Sequence, residues 1–187
     1  MSNLNWELLS SKYIFKDNWA TLRADTCKMP NGNIVDPYYV LEYPDWANVV
    51  ALTKDNEVIL IHQYRHAAGE VILELPGGCI EKGESPEDGV RRELLEETGY
   101  IFENIEQLST LYANPATGNN KTHCFLATGG VKVQDQDLDS GEEIIVELVS
   151  LEKLKSLLLT NKIAQALHVS GIFYALIRLG TISLTQK

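Results

Sequence analysis

At 187 residues, 44% of them apolar, with 16 Lys and Arg against 26 Asp and Glu, the chain has the size of one globular domain with room for a small appendage. Collagen-like, disordered and disulfide-scaffold readings are excluded. The formal net charge of −10 and the lack of any basic tract argue against coating a polyanion, because phosphate neutralisation is what holds such proteins on nucleic acid. A small phosphorylated ligand stays open, since one or two cations and a metal can hold it. Cys27, Cys79 and Cys124 are an odd number without zinc-ligand spacing, and the first residues lack the pattern of a secretory signal, so a reduced, cytoplasmic protein is expected. The most apolar tail segment, Ile163 to Leu179, is interrupted by Gln165, His168 and Arg178, and no membrane span is expected.

In chain order, residues 1–43 read as short strands and turns: Tyr13 to Phe15, Trp19 to Arg23, the hairpin signal Pro30-Asn31-Gly32-Asn33, then Tyr38 to Tyr43. Such a ribbon is marginal alone. Its aromatic residues suit either an interface with a second subunit or an edge sheet within the chain. From Trp46 the pattern becomes buried strands, at Asn48 to Leu52, Val58 to Tyr64 and Val71 to Leu75. The spacing then predicts a helix over Pro86 to Thr98, capped by Ser85, with Asp88 completing a capping-box-like Ser-x-x-Asp and Gly99 ending it. Further strands are expected near Ile105 to Tyr112, Thr122 to Ala127 and Ile144 to Leu148, with helices at Leu151 to Leu159 and Lys162 to Leu179. Interleaved strands and helices imply an α/β (α+β) fold layered around a mixed sheet, with 1–45 as an N-terminal β-subdomain and 46–187 as the main domain.

On the Pro86 to Thr98 helix, Glu93, Glu96 and Glu97 are spaced i, i+3 and i+4 and leave from one face, while a helical wheel turns Arg92 about one hundred degrees away. Like charges so close repel, and a hard divalent cation would reverse that cost. A solvated acidic face is the bland alternative. Against it stands the preceding segment, Glu74-Leu75-Pro76-Gly77-Gly78-Cys79-Ile80-Glu81-Lys82-Gly83-Glu84, whose paired glycines let backbone carbonyls approach a ligand.

Gly78, five residues, Glu84, seven residues, then Arg92-Glu93-Leu94-Leu95-Glu96-Glu97-Thr98-Gly99-Tyr100 resembles the signature box of the Nudix hydrolases, with Tyr100 standing where an aliphatic residue is usual. The resemblance implies an αβα sandwich. It also implies that Glu93, Glu96, Glu97 and the Gly77 carbonyl bind Mg²⁺, with Mn²⁺ as an alternative, that Arg92 orients the glutamates, and that Glu84 bridges to the same cluster. Glu97 is expected on a metal-facing surface of the helix. Metals so held would polarise a pyrophosphate for attack by water, giving two monophosphates.

Gln63-Tyr64-Arg65, Glu74-Leu75-Pro76 and Pro115, fifteen residues after Tyr100, are similar to the ADP-ribose and ADP-sugar pyrophosphatase branch. By that resemblance Arg65 binds phosphate and Glu74 belongs to the substrate site. Trp46 can stack on a base, with Trp19 as its competitor, and Arg23 can reach a ligand from the N-terminal region. Ser140-Gly141-Glu142-Glu143 resembles the mobile loop that delivers a catalytic carboxylate, with Glu142 as the base and Glu143 as the fallback. The segment Asn114 to Thr122 departs from the ADP-ribose pattern, so Asn119, Asn120 and Lys121 could read another sugar or base, and GDP-mannose stays a competitor. His123 and the other histidines show no ligand spacing and are read as structural or surface groups. The expectation is a homodimeric nucleoside diphosphate sugar pyrophosphatase with ADP-ribose favoured, binding neither nucleic acid nor membrane. A non-catalytic sensor of nucleotide sugars is the rival from another class, and a nucleoside triphosphate or capped-RNA hydrolase the rival among enzymes.

Overall fold

A computed structural model describes residues 3–18 and 20–183, and Trp19 lies outside the described residues. The chain divides into two compact units. One comprises the residues up to Pro44 with Tyr112–Lys121, and the other Asp45–Leu111 with the residues from Thr122 on.

The first unit is a three-stranded antiparallel sheet of β1 (Glu7–Lys16), β2 (Thr21–Lys28) and β3 (Ile34–Glu42). These strands are longer than the expected Tyr13 to Phe15, Trp19 to Arg23 and Tyr38 to Tyr43. All ten residues of β1 are exposed, so neither face imposes the apolar alternation that would have marked its full length. Asp25 is the exception in this sheet, 4% exposed, and accepts from Ser11 Oγ at 2.6 Å and from Arg23 Nε and Nη2 at 2.8 and 2.9 Å. Arg23 Nη1 also donates to Glu42. The Asn114 to Lys121 segment is stitched to the same unit: the Leu41 N–H donates to the Thr117 carbonyl at 2.7 Å and the Tyr38 hydroxyl to the Ala116 carbonyl at 2.7 Å. The Asn119 side chain accepts from the Tyr43 N–H at 3.4 Å, so it is engaged in holding the loop.

The second unit is built on a mixed sheet of β4 (Trp46–Thr53), β5 (Glu57–Arg65), β6 (Glu70–Glu74), β7 (Tyr100–Ile101), β8 (Asn104–Tyr112), β9 (Lys121–Lys132) and β10 (Ile144–Ser150). Its path runs β10-β5-β4-β9-β7, with β6 on β5 and β8 on β9; β4 and β9 are parallel, and the β5 pairs are antiparallel. Helix α1 (Pro86–Thr98) lies on one face, and α2 (Leu151–Leu159) and α3 (Ala166–Arg178) on the other. The alternation of the central strands enforces this: Val50, Leu52, Val58 and Leu60 pack with Leu154, Ile172 and Leu176, while Val49, Ala51 and Ile59 pack with Val90 and Leu94. Strands buried on both faces read as unbroken apolar runs, which is why they were visible in the sequence.

Ser85 and Gly99 cap α1 as expected; the Ser85 Oγ accepts from the Asp88 N–H at 3.1 Å, and Gly99 has φ 76°. Helix α3 starts at Ala166, not Lys162, because Asn161 is left-handed at φ 54° and Gln165 caps the first turn with its own side chain. The two-residue β7 was not anticipated. No helix among the described residues is long and apolar enough to cross a membrane.

Candidate active site

Strand β4 fixes the turn that leads from β6 toward α1. The Ala47 and Val49 N–H groups donate to the Gly78 and Pro76 carbonyls at 2.9 and 3.1 Å. That draws Gly77 so close that a Cβ there would lie 2.2 Å from the Ala47 carbonyl oxygen, and its φ of 143° also requires glycine. Gly78 leaves the same room for Glu93, whose Oε1 would sit 2.5 Å from an added Cβ. The flanking carbonyls face β4, and the Gly77 N–H instead donates to Glu97 Oε2 at 2.8 Å. Glu97, expected on a metal-facing surface of the helix, is 3% exposed and tucked under the glycine turn.

Arg92 is the hub of the cluster, although the helical wheel turned it away. Its side chain is long enough to reach back: Nε and Nη2 donate to Glu84 at 3.0 and 3.1 Å, Nη2 to the Cys79 carbonyl at 3.0 Å, and Nη1 to Glu93 and Glu96 at 2.9 Å each. These bonds hold the Glu84 carboxyl below its ordinary range despite its burial. Burial drives Glu93 the other way, against the pull of Arg92 and with the charges of Glu96 and Glu142 adding to the rise. Glu97 is pushed well up, first by burial, with the Gly77 N–H opposing and Glu93 and Glu142 reinforcing.

Among the described residues no three His, Cys, Asp or Glu side chains stand gathered as a finished metal cage. The donor set nonetheless fits a hard divalent cation. Glu93, Glu96 and Glu97 are oxygen donors from adjoining turns of α1, and the crowding of buried carboxylates that raises Glu93 and Glu97 is the cost a cation removes.

Glu142 lies in the acidic segment between β9 and β10, close enough for its charge to act on Glu93 and Glu97. Gln136, which the sequence did not single out, donates from Nε2 to the carbonyls of Glu97 at 2.6 Å and Ile144 at 3.2 Å. The Asp137 N–H donates to the Glu96 carbonyl at 2.9 Å. The loop is therefore tied to the last turn of the acidic helix, and of its two adjacent glutamates Glu142 is the one whose charge raises both Glu93 and Glu97.

Beside the glycine turn a small cavity is lined by Trp46, Arg65, Gly77, Gln165 and His168, so three residues singled out by the sequence share one wall. Glu74 has a different place from the one expected. At 2% exposed it sits behind Arg65 and accepts from Nε at 2.9 Å and Nη2 at 2.7 Å, so it aims the guanidinium and does not face the cavity. Arg23 has its Nε and both terminal nitrogens engaged by Asp25 and Glu42 of its own sheet. His123 pairs with Asp45 at 3.2 Å and with Gln107 at 3.1 Å, consistent with a structural group. His168 is 8% exposed, accepts from the Leu75 N–H at 3.1 Å through Nδ1, and also lines the cavity.

Residues 43–169 match the NUDIX domain model, and residues 6–41 match the nucleoside diphosphate sugar hydrolase N-terminal domain. The chain is 29% identical to a protein named ADP-ribose pyrophosphatase from Bacillus subtilis (strain 168), over 93% of this chain and 94% of that one. It is 32% identical to one named methanol dehydrogenase activator from Bacillus methanolicus, over 79% and 80% of the two chains. A crystal structure of an ADP compounds hydrolase superposes with a TM-score of 0.84 at 22% identity, covering 97% of this chain and 100% of that one, a likeness of fold. With its box intact and its helix, glycine turn and mixed sheet placed as the signature demands, the chain belongs to the Nudix hydrolase family.

Proposed function

We propose that this enzyme hydrolyses the pyrophosphate bond of a nucleoside diphosphate sugar, with ADP-ribose the favoured substrate and AMP and ribose 5-phosphate the products. The observation that carries the reading is the carboxylate cluster of Glu84, Glu93 and Glu96 held by Arg92, with Glu97 under the glycine turn beside a cavity that Arg65 lines. The N-terminal match to nucleoside diphosphate sugar hydrolases and the name of the Bacillus subtilis relative support the substrate class.

Arg65, aimed by Glu74, binds a phosphate oxygen pair, and Trp46 offers an aromatic face to the base. Glu142 takes the proton of the attacking water as its oxygen bonds to phosphorus and the bridging P–O bond breaks. A divalent cation, Mg²⁺ or Mn²⁺, held by Glu93, Glu96, Glu97 and the Gly77 carbonyl, would neutralise the charge that develops on the phosphoryl oxygens. Arg92 keeps the carboxylates in register.

A second copy of the chain is the proposed partner. Its docking face is the N-terminal sheet, where Trp6, Leu8, Tyr13, Ile14 and Phe15 stand exposed. The enzyme is proposed to work in the cytoplasm. The test of function is ³¹P NMR with Mg²⁺ and ADP-ribose, GDP-mannose, UDP-glucose and ATP in parallel. Two monophosphate resonances from ADP-ribose bear the reading out. Turnover of GDP-mannose alone moves the substrate, and ligand-induced shifts with no turnover favour a sensor.

A further inference from the structure

His168 sits in the first turn of α3, nine-tenths buried, against the cavity that holds Arg65 and Gly77. Its two ring nitrogens have separate fates. Nδ1 accepts from the Leu75 N–H at 3.1 Å, which fixes the ring and puts the remaining proton on Nε2. Nε2 has no hydrogen-bond partner among the described residues and is not closed off from solvent, so its N–H opens to the cavity that His168 lines. The helix end does not supply the binding group, because Gln165 Oε1 already accepts from the Leu167 and His168 N–H groups at 2.5 and 3.0 Å. What the His168 ring turns to the cavity is a neutral donor held in place.

The surroundings specify what it donates to. Arg65 and His168 line the same cavity, and the guanidinium is close enough for its charge to act on the ring. Burial first, and that neighbouring guanidinium second, press the His168 pKa down to about 3, so the ring keeps a single donor at neutral pH. Glu74 takes Nε and Nη2 of Arg65, leaving Nη1 outside that pair. A cavity of about 60 Å³ has room for a phosphoryl-sized group.

We propose that His168 is a phosphate-binding residue, its Nε2–H donating to a pyrophosphate oxygen of the substrate beside Arg65. This rests on the proposed function. Phosphate oxygens only accept, and a donor that carries no charge can sit beside Arg65 without repelling it.

The test is the imidazole ¹H–¹⁵N spectrum of the metal-free protein in EDTA, titrated with inorganic pyrophosphate, ADP-ribose and adenosine. The expected result is a neutral Nε2–H ring whose Nε2 resonance shifts saturably with pyrophosphate and ADP-ribose and stays put with adenosine. His168→Asn, whose shorter amide keeps an acceptor for Leu75 but places no donor at the Nε2 position, should weaken pyrophosphate binding about tenfold or more. His168→Gln, which keeps a donor near the Nε2 position, should stay within about threefold of wild type. An unmoved resonance, no pyrophosphate binding by wild type, or His168→Asn binding as wild type does would each overturn the proposal, and the wild-type spectrum decides it even where a variant misfolds. Failure of the functional reading is separate: it would show as no nucleotide-sugar hydrolysis with a divalent cation while His168 still answers pyrophosphate.

Discussion

The two units of the chain solve the problem of stability in opposite ways. The mixed-sheet unit buries both faces of β4 and β5 between helices and can set strongly perturbed carboxylates at one end of that core. In the N-terminal sheet β1 is exposed throughout, and the most buried of the described side chains is the charged Asp25, held by Arg23 and Ser11. A rigid apolar scaffold makes costly active-site groups tolerable, whereas a sheet held by a polar zipper with aromatic faces outward is built to gain its missing burial from a partner.

The comparison breaks if Glu97 proves structural. Glu97→Gln keeps the Gly77 hydrogen bond and removes a buried carboxylate, so the metal-free thermal midpoint should not fall while kcat drops about a thousandfold. A Glu97→Gln protein that unfolds would place the residue with the core. Glu142→Gln should lower kcat about a hundredfold with KM little changed, as expected for loss of a general base, and Glu143→Gln should do far less. Gln136→Ala, which loses the bridge from the Glu97 carbonyl to the Ile144 carbonyl, should cost about tenfold in kcat with the KM preserved; an unchanged kcat would mean that the loop is placed without it. In the other unit, Leu8→Asp with Phe15→Asp should convert the proposed dimer to monomer by light scattering and leave the thermal midpoint of the mixed-sheet unit in place.

The smallest effect sharpens the contrast from the polar side. Burial alone would raise Asp25, but the hydrogen bonds from Arg23 and Ser11 outweigh it, so its folded pKa lies below the unfolded one. That stabilisation is complete above the unfolded value, about pH 4, and is lost as pH falls through the folded value. Asp25→Asn should therefore flatten the acid side of the stability curve measured between pH 7 and pH 2.

How much was legible followed the same division. The α1 caps, the apolar runs of β4 and β5 and the spacing of Glu93, Glu96 and Glu97 are local signals with one physical reading each. Three features were not local. The burial of Glu97 depends on β4 drawing the glycine turn over it, the reach of Arg92 on side-chain length that a helical wheel ignores, and the role of Glu74 on its cross-strand placement behind Arg65. His168 and Gln136 were invisible for a further reason: each acts through one edge of a side chain whose partner lies far along the chain, at Leu75 and at Glu97. The full extent of β1 was hidden because a strand exposed on both sides leaves no pattern.

The most direct test of the account is a ³¹P NMR time course of wild type and Glu97→Gln with ADP-ribose and Mg²⁺ in ¹⁸O-labelled water. The account predicts two monophosphates from wild type, one of them carrying a single label from the attacking water, and near-silence from a folded Glu97→Gln protein. Persistent intact pyrophosphate with wild type, or full turnover by Glu97→Gln, would contradict it.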